Sequence, residues 1–337
     1  MDESTFTVKV PSLTTFGEIP LSMTIHGVEM NMGDYAAFEI LASPVITSVE
    51  TDNKFSSKAV QVGNTVTIKG TGFRNSTISS ATFGGQDLNY TVVSDTKITA
   101  SVSEQCAEGE DVITLKFDDV VLDVVSGDKL NMLKAGSDIS DYILTNVKQP
   151  FESKEGKTSG HCTPVGWKFN YGAGNDGFCH NESEIEMPGE GLYMNDQGGL
   201  LVIQSGWEGR SKKMNGKMFQ IFNIPQGIYD VVIDVAELVT SGGGRKKAGL
   251  FISKGGEEQT PNMDASGNWT ENTNLLKSVD FYKLGETYNE NYKDQRFVIE
   301  NLTIDYEGET TLGFAVHFDS NRALKILSLI HISEPTR

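Results

Sequence analysis

Lys217–Leu238, KMFQIFNIPQGIYDVVIDVAEL, decides the fold. Met218, Gln220, Phe222 and Ile224 alternate with Phe219, Ile221 and Asn223, the period of a β-strand. Ile228, Val231, Val232, Ile233 and Val235 supply the β-branched residues of a second strand. Between them, Pro225-Gln226-Gly227 has turn chemistry: proline presets φ, and glycine two residues later accepts positive φ. The stretch therefore predicts a β-hairpin. Its open end would bring Trp207, Arg210, Lys212 and Lys213 beside Arg245, Lys246 and Lys247, at one edge of a sheet.

Working outward, the 337 residues leave room for two or three domains and for full-sized cores. Thirty-five glycines and the absence of any long 3.6-period stretch predict an all-β chain. Asp and Glu outnumber Lys and Arg by 46 to 28, a net charge of −18 that argues against nucleic acid as a partner. No apolar run approaches the roughly 20 residues that span a bilayer as a helix. Met1 opens directly into Asp-Glu-Ser and a strand pattern with no signal peptide, as in a chain that starts inside a module.

Thr5–Val28 aligns with Lys97–Val120, matching Gly17-Glu18 to Gly109-Glu110 and Val28 to Val120. The apolar phase continues, with Phe38 and Ile40 opposite Leu130 and Met132. Residues 1–43 thus read as the second half of a module whose complete copy is 44–134. In that copy Val66 and Ile68 alternate inward, Gly70-Thr71-Gly72 turns the chain before Phe73, and Gly84-Gly85 closes a hairpin. Turn signals every 8–12 residues or so predict a β-sandwich. Pro44, Gly63, Gly70, Gly72-Phe73, Phe83-Gly84-Gly85 and Ser94-Asp95-Thr96 resemble an IPT/TIG immunoglobulin-like domain. That resemblance implies a spacer or association module and not a catalyst.

Residues 135–327 are expected to form the last domain. Ser137-Asp138 can cap a short helix through Leu144, and Val165, Trp167, Phe169 and Tyr171 share one face of a strand. Glu257–Asp294 is a long polar excursion, a kind of loop that often carries function. Residues 328–337 resemble a translated sequencing-adaptor tail, so the last strand, from Ala323, is expected to stop at Leu327. Gly166-Trp167, Phe219–Tyr229 and Leu312–Val316 resemble the jelly-roll, carbohydrate-binding-like domain of surface glycan-binding proteins from Sus-like polysaccharide-utilisation systems. The expected architecture is tandem immunoglobulin-like sandwiches followed by a jelly-roll β-sandwich. The resemblance implies non-catalytic capture of a polysaccharide at the outer-membrane surface. It further implies a lipid anchor upstream of residue 1, a TonB-dependent transporter and its partner lipoprotein.

Sugars are held by aromatic faces against C–H groups, with polar side chains on the hydroxyls. Trp167, in phase with Val165 and Phe169, reads as core. Trp207, in the loop sequence Ser-Gly-Trp-Glu-Gly-Arg, and Trp269, in Gly-Asn-Trp-Thr, are the ligand candidates; an anchoring role is the rival for Trp207. The loop of Trp269 is expected to start at the opposite end of the strands from Trp207. Arg210, Lys212, Arg245 and Lys246 read either as solvated charges or as contacts to an anionic or hydroxyl-rich glycan.

No Ser/His/Asp motif, P-loop or dinucleotide fingerprint is present, and Glu182, Glu184, Glu186 and Glu190 read as a solvated face. His161-Cys162 and Cys179-His180 match no common zinc spacing; Cys162 and Cys179 can pair in an oxidising compartment or stand as thiols. No cofactor is expected. Asn175-Asp176 and Asp319-Ser320-Asn321 offer oxygen ligands without forming a defined calcium loop. Two other readings remain open: an adhesion or scaffold protein that binds a protein partner, and an accessory region of a larger glycoside hydrolase.

Overall fold

A computed structural model describes residues 17–20, 22–31, 37–54, 56–118, 123–154, 156, 160–161, 164–170, 192–195, 200–204, 214–239, 246–262, 268–282, 292–318 and 323–333. The chain forms two compact units, Met1–Asn53 with Ser57–Met132, and Lys54–Ser56 with Leu133–Arg337. Both are built almost wholly of strands.

The first unit contains β1 (Gly17–Pro20), β2 (Ser22–Ile25), β3 (Val28–Asn31), β4 (Ala37–Ile40), β5 (Val45–Thr51), β6 (Ala59–Gln61) and β7 (Thr65–Thr71). It continues with β8 (Ile78–Phe83), β9 (Gln86–Asp87), β10 (Asn89–Ser94), β11 (Lys97–Ser101), β12 (Gly109–Phe117) and β13 (Val124–Leu133). Sheets of order β10-β11-β7-β5 and β6-β13-β12-β8-β9 enclose a core of Val66, Ile68, Phe73, Phe83, Ile98, Ile113 and Leu115. The alternation of Val66 and Ile68 is inward, as their spacing predicts. A Cβ on Gly70 would overlap the Val45 carbonyl oxygen and the Phe73 ring, so glycine is what lets β5 pass this close to β7. Gly84 and Gly85, at φ of 58° and 71°, make the tight turn that pairs Phe83 with Gln86. β1 pairs Gly17 with Ile40, and β12 pairs Gly109 with Met132. These are equivalent positions of the internal repeat, held in the same register.

The second unit opens with a single helical turn, α1 (Ser140–Ile143), where Asp138 accepts hydrogen bonds from the Ser140 N–H and Oγ–H. Its strands are β14 (Gly160–His161), β15 (Lys168–Asn170), β16 (Leu192–Asn195), β17 (Leu200–Gln204), β18 (Met214–Asn223) and β19 (Gly227–Val239). Then come β20 (Lys246–Lys254), β21 (Leu275–Asp280), β22 (Tyr292–Ile304), β23 (Glu309–Phe318) and β24 (Ala323–Ser333). One sheet has the order β14-β16-β17-β24-β19-β22 and the other β15-β18-β23-β20-β21. From β17 onward the chain crosses between the sheets at every connection except β20 to β21. This is the jelly-roll arrangement.

That alternation corrects the hairpin reading of Lys217–Leu238. β18 and β19 do not pair; they lie in different sheets, and Pro225–Gly227 is a corner between them. Each strand carries its own apolar face: Met218, Phe222 and Ile224 on one, Tyr229, Val231, Ile233 and Val235 on the other. Both faces are buried when the strands oppose each other across the core. The Tyr229 hydroxyl donates to the Pro225 carbonyl oxygen at 2.8 Å and pins the corner.

One further element differs from expectation, while Trp167 takes the core position expected of it. The last strand does not stop at Leu327: it continues to Ser333 between β17 and β19, burying Leu324, Ile326 and Ile332. Its alternating apolar residues satisfy the pleat whatever sequence they resemble. Trp167 is buried, stacked on Phe314 at 6.0 Å, and its indole N–H donates to the Asn146 carbonyl oxygen at 3.1 Å. Gln220 occupies an inner-face position but works as a surrogate backbone. Its amide accepts from the Thr145 N–H at 2.9 Å and donates to the Thr145 carbonyl at 2.5 Å, fixing the segment after α1.

Gly70→Ala is expected to destabilise the first unit by about 2 kcal/mol or more, because backbone and ring must both shift. Gly127→Ala, where an added Cβ meets nothing within 4 Å, is expected to stay within about 0.5 kcal/mol of the parent. Urea unfolding of the two variants checks the contrast.

Candidate functional site

The open ends of the strands gather where the sequence places its basic clusters, but not on one sheet. Met214 of β18 and Lys246 of β20 both belong to rows ending at Phe318 of β23. Gln204 of β17 and Val239 of β19 both pair with Ala323 of β24. Only four residues join Phe318 to Ala323, so these ends share one end of the sandwich, split between its two sheets. Trp207, Arg210, Lys212 and Arg245 lie outside the described residues. So do Lys213, Cys162, Cys179 and the carboxylates at 182–190. The backbone of Lys246 opens β20 opposite Phe318.

Trp269 is described, and its position follows from the outer face of the five-stranded sheet. The inner face is the one carrying Phe314, since Phe281 lies against both Phe314 and Phe297 of the opposite sheet. The outer face has three register rows across β18, β23 and β20. Phe219, Gly313 and Phe251 form one; Lys217, Ala315 and Gly249 the next; Asn215, His317 and Lys247 the third. Asp280 of β21 extends the middle row beyond Gly249.

The excursion after β20 begins at the corner end of the strands, as the sequence predicts, and then lies back over this face. Phe251 meets the Trp269 indole edge-on, with centroids 6.1 Å apart and planes at 69°. The indole N–H donates to Asp280 Oδ1 at 2.7 Å. A Cβ on Gly249 would stand 2.7 Å from Trp269 Cζ2, so the ring occupies the space that glycine leaves. Trp269 is thus partly buried and held on three sides, with the rest of its surface open. The Thr270 N–H donates to the Asn262 carbonyl at 2.8 Å, and Asn272 Nδ2 donates to the Gln259 carbonyl at 3.0 Å, lacing the excursion to itself.

A buried cation holds the excursion's first turn. Lys217, 5% exposed, donates from Nζ to the Thr260 carbonyl at 3.0 Å and to Thr260 Oγ1 at 2.5 Å. The Thr260 hydroxyl in turn donates a hydrogen bond to the Glu257 carbonyl oxygen at 2.7 Å. Burial pulls the Lys217 amine down to about 8, with the Glu257 carboxylate opposing that shift. Sequence reasoning passed over Lys217 and Asp280. The signal for Lys217 was a lysine in line with Phe219 and Ile221 on an apolar row; for Asp280 there was none, because its pairing depends on how the excursion returns.

A fixed indole with part of its surface open, beside the Asp280 carboxylate, can stack on a pyranose and hydrogen-bond its edge. Among the described residues no group of three or more His, Cys, Asp or Glu side chains is arranged to hold a metal ion. No helix among them is long and apolar enough to cross a membrane.

The low amine pKa of Lys217 fixes a sign. Between pH 8 and 10.5 or thereabouts the unfolded chain keeps a proton that the folded chain has lost, so stability rises with pH across that window. Lys217→Met is expected to remove this rise. Denaturant titrations at pH 7.5 and pH 10 on parent and variant measure it.

Residues 44–117 match the family model of the IPT/TIG domain. No curated protein matches the chain. Among solved structures, TmCBM61 in complex with β-1,4-galactotriose is similar over 50% of this chain and 89% of its own, at 13% identity and a TM-score of 0.28. A surface glycan-binding protein from Prevotella bryantii is similar over 87% and 99%, at 9% identity and 0.23. The SGBP-B protein of the Bacteroides ovatus mixed-linkage glucan utilization locus, in complex with a mixed-linkage heptasaccharide, is similar over 93% and 84%, at 12% identity and 0.21. Likenesses at such scores carry no functional argument; the family match assigns residues 44–117 to the IPT/TIG type.

Proposed function

We propose that this chain is a non-catalytic glycan-binding protein whose jelly-roll unit captures a polysaccharide. The observation that carries the reading is the Trp269 indole, fixed over Gly249 by Asp280 and Phe251 with part of its surface open. An aromatic immobilised before the ligand arrives loses little entropy on binding. Trp207, Arg210, Lys212, Arg245 and Lys246 are the further ligand contacts that the sequence proposes. In this reading the immunoglobulin-like modules space the sandwich from an outer-membrane lipid anchor, and captured glycan passes to a TonB-dependent transporter. Tethering and multivalency make a weak site sufficient.

Affinity electrophoresis in native gels cast with a broad panel of polysaccharides tests this. The parent chain is expected to be retarded by at least one glycan. Trp269→Ala should weaken that retardation about tenfold or more while migrating normally in a plain gel. Loss in Trp207→Ala but not in Trp269→Ala would move the site off the outer face and onto the loop end. A folded parent slowed by no glycan would overturn the reading in favour of a protein partner.

A further inference from the structure

Among the described residues, Lys247 is a half-buried lysine with no ion pair. Among the described residues three lysines are withdrawn from full solvent exposure: Lys134, Lys217 and Lys247. Lys134 has partners, and Lys217 is held by Thr260. Several other cations meet a carboxylate or a ring, Lys69 with Glu50, Lys129 with Glu110, Arg296 with Asp234 and Lys254 over Tyr306, and Arg74 donates to the Val93 carbonyl oxygen. Among the described residues no carboxylate pairs with Lys247, in a chain whose acidic residues outnumber its basic ones by 46 to 28. Partly burying an ammonium without a partner costs free energy, and an anion placed beside it recovers that cost.

The place of this lysine gives the anion a context. Lys247 lies opposite His317 on the outer face of the five-stranded sheet. It is two residues from Gly249, and same-face neighbours on a strand stand about 7 Å apart. Gly249 is the floor beneath the Trp269 indole. The cation therefore stands one step along the strand from the stacking ring, which suits a pyranose on the indole and its exocyclic acid on the ammonium. Asp280, the carboxylate that meets the indole, already accepts its N–H; it lies on β21 opposite Gly249, diagonal to Lys247, and makes no ion pair with it.

We infer that the site selects anionic glycans, with Trp269 stacking a sugar ring and Lys247 pairing with its carboxylate or sulfate. The inference rests on the glycan-binding reading and names the ligand class of the same site.

Isothermal titration calorimetry with paired ligands tests it. Polygalacturonate, alginate and chondroitin sulfate would each be compared with the carboxyl-reduced form, and chondroitin sulfate also with the desulfated form. At least one acidic polysaccharide is expected to bind tenfold or more tighter than its neutralised counterpart, with affinity falling as NaCl is raised. That preference should vanish in Lys247→Gln and survive in Lys247→Arg, while Trp269→Ala weakens acidic and neutral forms alike. Loss on carboxyl reduction assigns the pairing to a carboxylate, and loss only on desulfation assigns it to a sulfate. Equal binding of charged and neutral forms, or a charge preference unchanged in Lys247→Gln, overturns the inference and leaves the glycan reading standing. Absence of binding to these ligands and to neutral polysaccharides alike overturns both.

Discussion

The outer face of the five-stranded sheet depends on the missing side chain of Gly313. A Cβ there would stand 2.5 Å from the Met218 carbonyl oxygen and from Phe219 Cβ, and 2.8 Å from Phe251 Cζ. Without it, the rings of Phe219 and Phe251 close over β23 from the strands on either side. Together with Ala315 they form a small apolar cluster on which Ile221, Trp269 and Leu275 rest. β18 is consequently buried on both faces, Met218 and Phe222 toward the shared core and Phe219 toward the excursion. The excursion can settle as a packed layer because the sheet beneath it is apolar and lacks a Cβ at Gly313 and Gly249. Gly249 repeats the device one row along, where the second missing Cβ is filled by the Trp269 indole.

Electrostatics divide this layer into two parts. Lys217 is buried and satisfied by a carbonyl and a hydroxyl, neutral acceptors that hold an ammonium without balancing its charge. It serves the fold by joining the excursion to the sheet. Lys247, two strands away and one row along, has no such acceptor among the described residues. The same residue type is thus bonded into the fold at one position and left without a hydrogen-bonding acceptor among the described residues at the other.

Features set by local chemistry were legible in the sequence. Val66 and Ile68 point inward, Gly84-Gly85 turns as its composition requires, and Trp167, just before β15, enters the core. The repeat between the first and second modules survives as a shared register, Gly17 with Ile40 and Gly109 with Met132. Partner choice was not legible. Pro225-Gln226-Gly227 has the composition of a hairpin turn and of a corner alike. Which one forms depends on β23 and β24, about a hundred residues later, taking the places beside β18 and β19. The acceptor of Lys217 lies 43 residues along the chain and that of the Trp269 indole 11 residues along, so neither follows from a local pattern. Ser328–Ser333 were set aside on resemblance, yet a strand's place in a sheet answers only to alternation and pairing.

The position of β24 bears on how the second unit comes to fold. It is the last strand of the unit, yet it lies inside the six-stranded sheet, flanked by β17 and β19. It also meets the unit's beginning: the Ile139 N–H donates to the Ile332 carbonyl at 2.8 Å, and Asp138 bridges to Ser333. As the chain emerges from the ribosome, the gap between β17 and β19 stays vacant until this final strand arrives. Loops of about 90 to 120 residues must close before that pairing forms, and such long-range contacts make folding slow. Until then two neighbouring strands expose unpaired backbone, the condition under which a nascent sheet recruits a strand from another molecule.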